Sequence, residues 1–311
     1  MQATENFIDK AHKADKPFFV WFNSTRMHVW THLKKETEGR TGIGLYADGM
    51  AEHDDHIGAL LKKLDDLGIA DNTIIVYTTD NGAQKFSWPD GGTSPFHGQK
   101  GTSNEGGHRV PLLVKWPGVL KPGSHYNNLI AHNDWMPTLA AATGNPDLVA
   151  QLAKGGELNG KQWRVHLDGY NFLPFFKGEV KDSPREEYLY FSMSGDLDAI
   201  RWKDWRLAFA TMEGDFSSAA RKVSNVPEVT NLKSDPFQTV RQESPASRRW
   251  STDQAWLVVP IQAKIKSFLA TLGEYPFQEG ISLNVAGINY QSLGLKKALM
   301  DLKQSKETAA Q

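Results

Sequence analysis

Cysteine is absent from the 311-residue sequence, and this absence excludes more than any other feature of the composition. Without cysteine the chain has no disulfide, no thiolate metal site and no cysteine nucleophile. A net charge of −1 gives no electrostatic reason to expect a nucleic-acid partner or an acidic membrane surface. The first residues lack the basic and apolar regions of a signal peptide, and no apolar run approaches the length of a membrane span. We therefore expect neither a nucleic-acid nor a membrane partner.

The length and the remaining composition are typical of a globular protein. Apolar residues make up 40% of the chain and charged residues 23%. A chain of this length can build a large core, in one or two domains.

One strand with the turn that follows it organises the rest of the sequence. Residues 73–79 are apolar and β-branched without alternation, which predicts a strand buried on both faces, as in a parallel sheet covered by helices. Asp80 and Asn81 follow directly, where ligands gather beyond the carboxyl ends of strands. Their oxygen atoms are of the kind that Ca²⁺ or Mg²⁺ prefers, and Gly82 allows a sharp turn. The alternative is an ordinary Asp-Asn-Gly turn without a ligand.

A glycine-rich loop then carries Lys100 and leads into the segment Glu105-Gly-Gly-His-Arg-Val-Pro111. Lys100 is a compact cation that could reach an anion held by the metal. Together these residues indicate a metal-assisted site for an anionic ester.

This combination of motifs resembles the sulfatase family of the alkaline-phosphatase superfamily, and its bacterial arylsulfatase-like branch in particular. The resemblance implies that Asp80 and Asn81 are ligands of Ca²⁺, with Mg²⁺ as the alternative, and that Lys100 contacts the sulfate. Residues 17–22, Pro-Phe-Phe-Val-Trp-Phe, predict a second buried strand, and His28 follows in the next loop. The same resemblance gives His28 a contact with the sulfate or its bridging oxygen, whereas a lone His beside aromatic residues is more often packed or solvated.

Residues 50–67 predict an amphipathic helix whose buried face carries Ile57, Leu60 and Leu64. The sequence His53-Asp-Asp-His56 falls in its first turns and invites a metal interpretation. We favour a solvated helix start instead, because acidic residues there interact well with the helix dipole.

The resemblance implies an α/β fold: a partial alkaline-phosphatase-like sheet with flanking helices, followed by a small C-terminal antiparallel sheet with a helix. We place the domain boundary between residues 184 and 185. The patterns further predict a first helix within residues 1–16, a connecting region over 151–178 and a polar tail after Leu302. The other predicted elements are strands at 112–116, 188–191 and 199–209, a turn at 231–237, and helices around 137–142 and 259–272.

The sulfatase nucleophile is a formylglycine made from the first residue of Cys/Ser-x-Pro/Ala-x-Arg, a motif that normally lies far upstream of the Asp-Asn pair. A chain without cysteine cannot make it from Cys. Ser244-Pro-Ala-Ser-Arg248 matches the letters but not the context, and we interpret it as a coincidental surface loop. The chain therefore looks like the C-terminal part of a sulfatase.

Three functional hypotheses follow. The first is a sulfatase-family protein that keeps part of the Ca²⁺ and sulfate site, binds the metal weakly and is inactive alone; the complete enzyme would act on a sulfate ester of a small molecule or sugar. The second is a hydrolase of phosphate or carboxyl esters that uses metal-bound water. The third is a non-catalytic assembly module that forms oligomers through uncovered sheet edges. A bacterial cytoplasmic or periplasmic location is left open.

Overall fold

The computed structural model describes residues 1–28, 30–85, 90–91, 93–192, 195–214, 220–240 and 244–276. The chain falls into two compact units. The first contains Met1–Pro95 and Gly106–Gly123, and the second contains Phe96–Glu105 and Ser124–Gln311. These units are groupings of packed residues, and the domain boundary between residues 184 and 185 stays a prediction. The polar tail after Leu302 lies outside the described residues.

Two helices build the core of the first unit. Helix α1 spans Gln2–Lys13, as predicted, and α2 spans Leu45–Asp66, so it begins earlier than its apolar pattern indicated. Ile8 of α1 and Leu64 of α2 are buried with Ala70, and half-buried side chains of the following segments pack around them. The apolar stripe of α2 thus faces the core, as its spacing predicts.

The sheet of the first unit has antiparallel pairing. Strand β1 (Ile75–Thr78) pairs with β2 (Leu112–Lys115), which follows the short helix α3 (Glu105–His108). Both predicted strands exist, but the expectation of a parallel partner and of burial on both faces was wrong, because β1 is only half-buried. An apolar, β-branched sequence suits either kind of pairing, so the partner strand decides it.

Residues 17–22 carry no strand, contrary to the prediction. Phe18 and Val20 pack against the core, whereas Phe19 and Trp21 are 70% and 80% exposed. This alternation has the period of a strand. A strand also needs a hydrogen-bonded neighbour, and the sheets formed by the described residues supply none for this segment.

The part of the second unit before its large sheet is more structured than the predicted connecting region. Helix α4 (Trp135–Ala142) is followed by α5 (Leu148–Lys154), a small hairpin of β3 (Gly156–Leu158) and β4 (Lys161–Trp163), and α6 (Leu173–Phe176). Asp134, directly before α4, has no exposed surface. Its two carboxylate oxygens accept hydrogen bonds of 2.7 Å from Nε and Nη2 of Arg185. This buried ion pair connects the start of α4 to the segment that directly precedes the strand beginning at Glu187.

A four-stranded antiparallel sheet follows. The sequence predicted an antiparallel sheet from residues 188–191 and 199–209 but not the strand at 220–231. Its strands are β5 (Glu187–Phe191), β6 (Leu197–Trp202), β7 (Trp205–Glu213) and β8 (Ala220–Asn231), in that spatial order. Helices α7 (Pro245–Asp253) and α8 (Val258–Glu274) come after it. Ile200 and Leu207 of the sheet form a buried cluster with Leu257 and Ile261. The predicted small sheet with a helix is therefore present.

Among the described residues one helical stretch, Ala255–Glu274, is long and apolar enough to cross a membrane by length and composition alone, contrary to the expectation that no apolar run approaches this length. Core helices of soluble proteins pass the same test. Here Leu257 and Ile261 pack against the sheet, and Lys264 lies 2.8 Å from the Glu187 carboxylate. These contacts pack one face of the helix against the sheet of the second unit, while Trp256 and Val259 on other faces are 52% and 74% exposed.

Candidate functional site

The Asp80-Asn81-Gly82 turn follows β1 directly, as predicted. Asp80 is exposed and Asn81 is half-buried. The Thr79 hydroxyl donates to the Asn81 carbonyl at 3.0 Å, and Nδ2 of Asn81 donates to the Gly82 carbonyl at 2.8 Å. Since the Asn81 side chain uses its nitrogen in this bond, its oxygen is the atom suited to a cation. Carboxylate and amide oxygens are ligands that Ca²⁺ and Mg²⁺ accept.

Gly82 makes the closest backbone approach in this region. Its N–H donates to the carbonyl of Gly107 at 2.9 Å. A Cβ atom at position 82 would lie 1.9 Å from the carbonyl oxygen of Gly106. Only glycine fits there, so the Asp80 turn and the glycine pair before β2 form one structure. Sequence reasoning assigned Gly82 to the turn but missed this contact.

His28 is exposed and lies in a loop that α2 supports from within the first unit. The Thr31 hydroxyl donates to the carbonyl of His28 at 2.5 Å. Arg26 forms an ion pair of 3.1 Å with the buried Glu52. The Ser24 hydroxyl donates to the Arg26 carbonyl at 2.7 Å and lies 3.1 Å from Nδ1 of His53. Because the hydroxyl hydrogen is already used, we assign the hydrogen of this second bond to His53 Nδ1.

The His53-Asp-Asp-His56 cluster lies in the middle of α2 and not at its start. Asp54 and Asp55 are exposed, as expected, but His53 and His56 are half-buried. Burial lowers the pKa of His53, and the neighbouring His56 lowers it further. Asp48, Glu52 and His56 are spaced by four residues and so lie on one face of the helix. This spacing in the sequence could have predicted that polar side chains of α2 face the protein interior.

Lys100 lies in a loop of the second unit and is half-buried. The Thr102 hydroxyl donates to the Gln99 carbonyl at 2.8 Å and accepts from the Gln99 N–H at 3.0 Å, which closes the loop around Lys100. Gly98 has φ +84°, and a Cβ there would lie 2.5 Å from the Thr102 hydroxyl. The Gly-x-Lys spacing therefore has a local steric reason.

Ser244-Pro-Ala-Ser-Arg248 forms the start of helix α7, so the expectation of a surface loop was wrong. The Ser244 side chain accepts a hydrogen bond from the Ser247 N–H at 3.1 Å, and Pro245 stands in the first turn. A serine at the N-cap followed by a proline in the first turn favours the start of a helix at this point.

The predicted site residues are divided between the two units. His28, Asp80 and Asn81 belong to the first and Lys100 to the second, so their grouping around one sulfate stays a prediction. Over the described ranges, no three His, Asp or Glu side chains come together as metal ligands. Asp80 and Asn81 fit a hard cation in kind, but two ligands are only part of the roughly six to eight that Ca²⁺ takes.

A model of the family described as Sulfatase matches residues 1–145. Arylsulfatase A of Homo sapiens is 31% identical over 216 residues, which cover 68% of this chain and 39% of that protein. The chain belongs to the sulfatase family.

Solved structures, one of them a sulfatase by name, share its fold. The PsFucS1 sulfatase from Pseudoalteromonas sp. is similar with a TM-score of 0.75 and 26% identity, over 89% of this chain and 53% of that one. Ps i-CgsB in complex with k-i-k-neocarrahexaose has a TM-score of 0.67 and 25% identity, over 93% of this chain and 57% of that one. The predicted alkaline-phosphatase-like α/β class is therefore confirmed. The chain spans between 39% and 57% of the length of these three proteins.

Replacing Gly82 with Ala should destabilise the first unit. The new methyl group collides with the Gly106 carbonyl, and overpacking of this kind costs about 1–3 kcal/mol. Urea unfolding of Gly82→Ala measures the loss. Gly58→Ala is the matched control, because nothing lies within 4 Å of a Cβ at this exposed position of α2. The control should be as stable as the parent or more so, and an equal loss in both variants would contradict the steric explanation.

His53 should make the stability of the fold sensitive to acid. Its folded-state pKa is lowered, so below the ordinary histidine value of about 6.5 the unfolded chain takes up a proton first. Stability is then lost as pH falls from that value towards the folded-state pKa. His53→Gln, which keeps a donor for Ser24, should flatten the dependence of the unfolding free energy on pH there. The exposed His12→Gln serves as control, and equal slopes in the two variants would refute this role.

Proposed function

We propose that this chain supplies the charge-stabilising part of a sulfatase site that hydrolyses a sulfate ester. Asp80 and Asn81 would hold Ca²⁺ or Mg²⁺, and Lys100 and His28 would contact the sulfate. The observation that carries the proposal is the Asp80-Asn81-Gly82 turn, fixed against Gly106 and Gly107 at the end of β1 in a chain of this family.

Each proposed residue has a chemical task. When bound, the cation would neutralise charge on the sulfate oxygens. The Lys100 ammonium would donate hydrogen bonds to those oxygens, and charge-assisted bonds of this kind are strong. His28 would hold a proton near the bridging oxygen, where negative charge develops as the ester bond breaks. The Thr31 and Arg26 contacts of its loop would keep the backbone of His28 in place.

The nucleophile is the part that this chain does not offer. Formylglycine cannot be made from cysteine in a sequence without it, and Ser244 caps α7 within the second unit. We propose that the 311-residue chain alone does not turn over a sulfate ester, because covalent attack needs that group. The hexaose bound to Ps i-CgsB supports a sugar as the group that carries the sulfate.

Calorimetric titration of the full chain with CaCl₂ and MgCl₂ tests the metal role. We expect a dissociation constant of about 10⁻⁴–10⁻³ M, the range of sites with few ligands or little rigidity. Asp80→Ala should abolish the binding, whereas Asp71→Ala, which removes an exposed carboxylate from the same unit, should not. Equal affinity in Asp80→Ala and the parent would refute the metal role. Turnover of 4-nitrophenyl sulfate by the parent would refute its inactivity.

An assembly role is the second candidate, and exposed aromatic residues favour it. Phe19 and Trp21 of the first unit are 70% and 80% exposed, and Leu113 of β2 is 64% exposed. Exposed apolar groups of this size are common at protein interfaces.

Sedimentation velocity over a range of concentrations tests this role. We expect self-association of the parent, driven by burial of these aromatic rings. Trp21→Ser should weaken it, and Trp163→Ser, which removes a 46% exposed tryptophan from the second unit, should not. A monomer at every concentration would exclude association of the chain with itself.

A further inference from the structure

The loop that carries Lys100 is fastened to the four-stranded sheet of its own unit. At its outer end, His97 Nε2 lies 2.9 Å from the carboxylate of Glu213, at the end of β7. Nε2 of Gln99 donates to the carbonyl of Gly214 at 2.9 Å. His97 and Gln99, the two neighbours of Gly98, are therefore both attached to the end of β7. Gln99 also directly precedes Lys100.

Arg206 fastens the inner part of the loop. This arginine of β7 is only 1% exposed. Its Nη2 donates to the Ser103 carbonyl at 2.8 Å and to Oδ1 of Asn104 at 3.3 Å, while Nδ2 of Asn104 donates to the Met212 carbonyl at 3.4 Å. Burial lowers the pKa of Arg206, and Tyr190 and Glu105 oppose that shift. A guanidinium in this position therefore needs the loop carbonyls as its partners.

Glu105 closes the loop at its far end. Its carboxylate is almost fully buried and accepts a hydrogen bond from the hydroxyl of Tyr190 on β5. Arg201 of β6 lies 3.7 Å from the other carboxylate oxygen, and the Glu105 N–H donates to Gln238 at 2.9 Å. Burial and the neighbouring carboxylate raise the pKa of Tyr190. Its hydroxyl therefore keeps the proton that it donates to Glu105.

We propose that Tyr190, Glu105 and Arg206 are positioning residues for Lys100, so that the C-terminal sheet sets the place of the sulfate-binding ammonium without touching the sulfate. The proposal rests on the proposed anion contact of Lys100. A lysine has a long flexible stem, so the position of its charge depends on how rigidly its backbone is held. The sheet supplies that rigidity through buried bonds at both ends of the loop.

Tyr190→Phe in the full chain tests this role with the smallest change. It removes the hydroxyl that donates to Glu105 and keeps the ring, whose centre lies 5.3 Å from the Arg206 guanidinium carbon. Hydrogen exchange of residues 96–104 should become faster, because a buried carboxylate has lost a donor. The dissociation constant for inorganic sulfate, measured against chloride at equal ionic strength, should rise about five- to tenfold, since small displacements of a binding group are costly.

The second tyrosine–glutamate pair of this unit provides the matched control. The Tyr170 hydroxyl donates to the Glu187 carboxylate at 2.6 Å, and Glu187 pairs with Lys264 of α8 at 2.8 Å. Tyr170→Phe should change neither the exchange of residues 96–104 nor the sulfate affinity. Urea midpoints of both variants show whether the two changes are equally destabilising. Lys100→Ala should lose sulfate binding and keep the slow exchange of the loop.

Faster loop exchange with weaker sulfate binding in Tyr190→Phe alone supports the positioning role. Unchanged sulfate affinity in Tyr190→Phe overturns it, and so does an equal loss in Tyr170→Phe, which would be general destabilisation. Sulfate binding by Lys100→Ala as strong as in the parent would instead overturn the anion contact of Lys100. The exchange and affinity measurements thus separate failure of the positioning role from failure of the proposed function.

Discussion

The close backbone contact between Gly82 and the pair Gly106-Gly107 is the constraint on which the first unit depends. A hydrogen bond of 2.9 Å joins the two segments, and the space beside it excludes any side chain at position 82. The turn with Asp80 and Asn81 is therefore fixed at the end of β1 by the segment that leads into β2. Two motifs that are distant in sequence become one local structure because only glycine permits this approach.

Buried carboxylates hold the loops that carry His28 and Lys100. His28 is exposed, whereas Glu52, which supports its loop through Arg26, is almost fully buried. Glu105 has the same relation to Lys100. A buried carboxylate is costly unless it is paired, so each one fixes its partner segment closely. The backbone of the two groups proposed to meet an anion then stays in place, with His28 exposed and Lys100 half-buried.

Much of the fold could be predicted from the sequence, and the exceptions have physical reasons. The C-terminal sheet followed in part from its apolar runs at 188–191 and 199–209. The second run is divided by a turn at Lys203, which adopts φ +55°, and β8 was not predicted. The pairing of β1 did not follow, because an apolar strand fits a parallel or an antiparallel neighbour. Residues 17–22 have the alternating burial of a strand but no hydrogen-bonded partner strand among the described residues. Whether a partner strand is present depends on the rest of the fold and not on the composition of these residues. Ser244 was assigned to a surface loop, although a serine followed by proline is also a common helix start.

By itself, the sequence determined that no cysteine chemistry is available, that Asp80 and Asn81 follow a strand, and that Lys100 lies in a glycine-rich loop. These features depend on residue type and on neighbours along the chain. The tertiary structure decided the contact of Gly82 with Gly106, the burial of Glu52, and the attachment of the Lys100 loop to Tyr190 and Arg206. These are contacts between segments far apart in sequence, so they depend on packing that no local pattern contains.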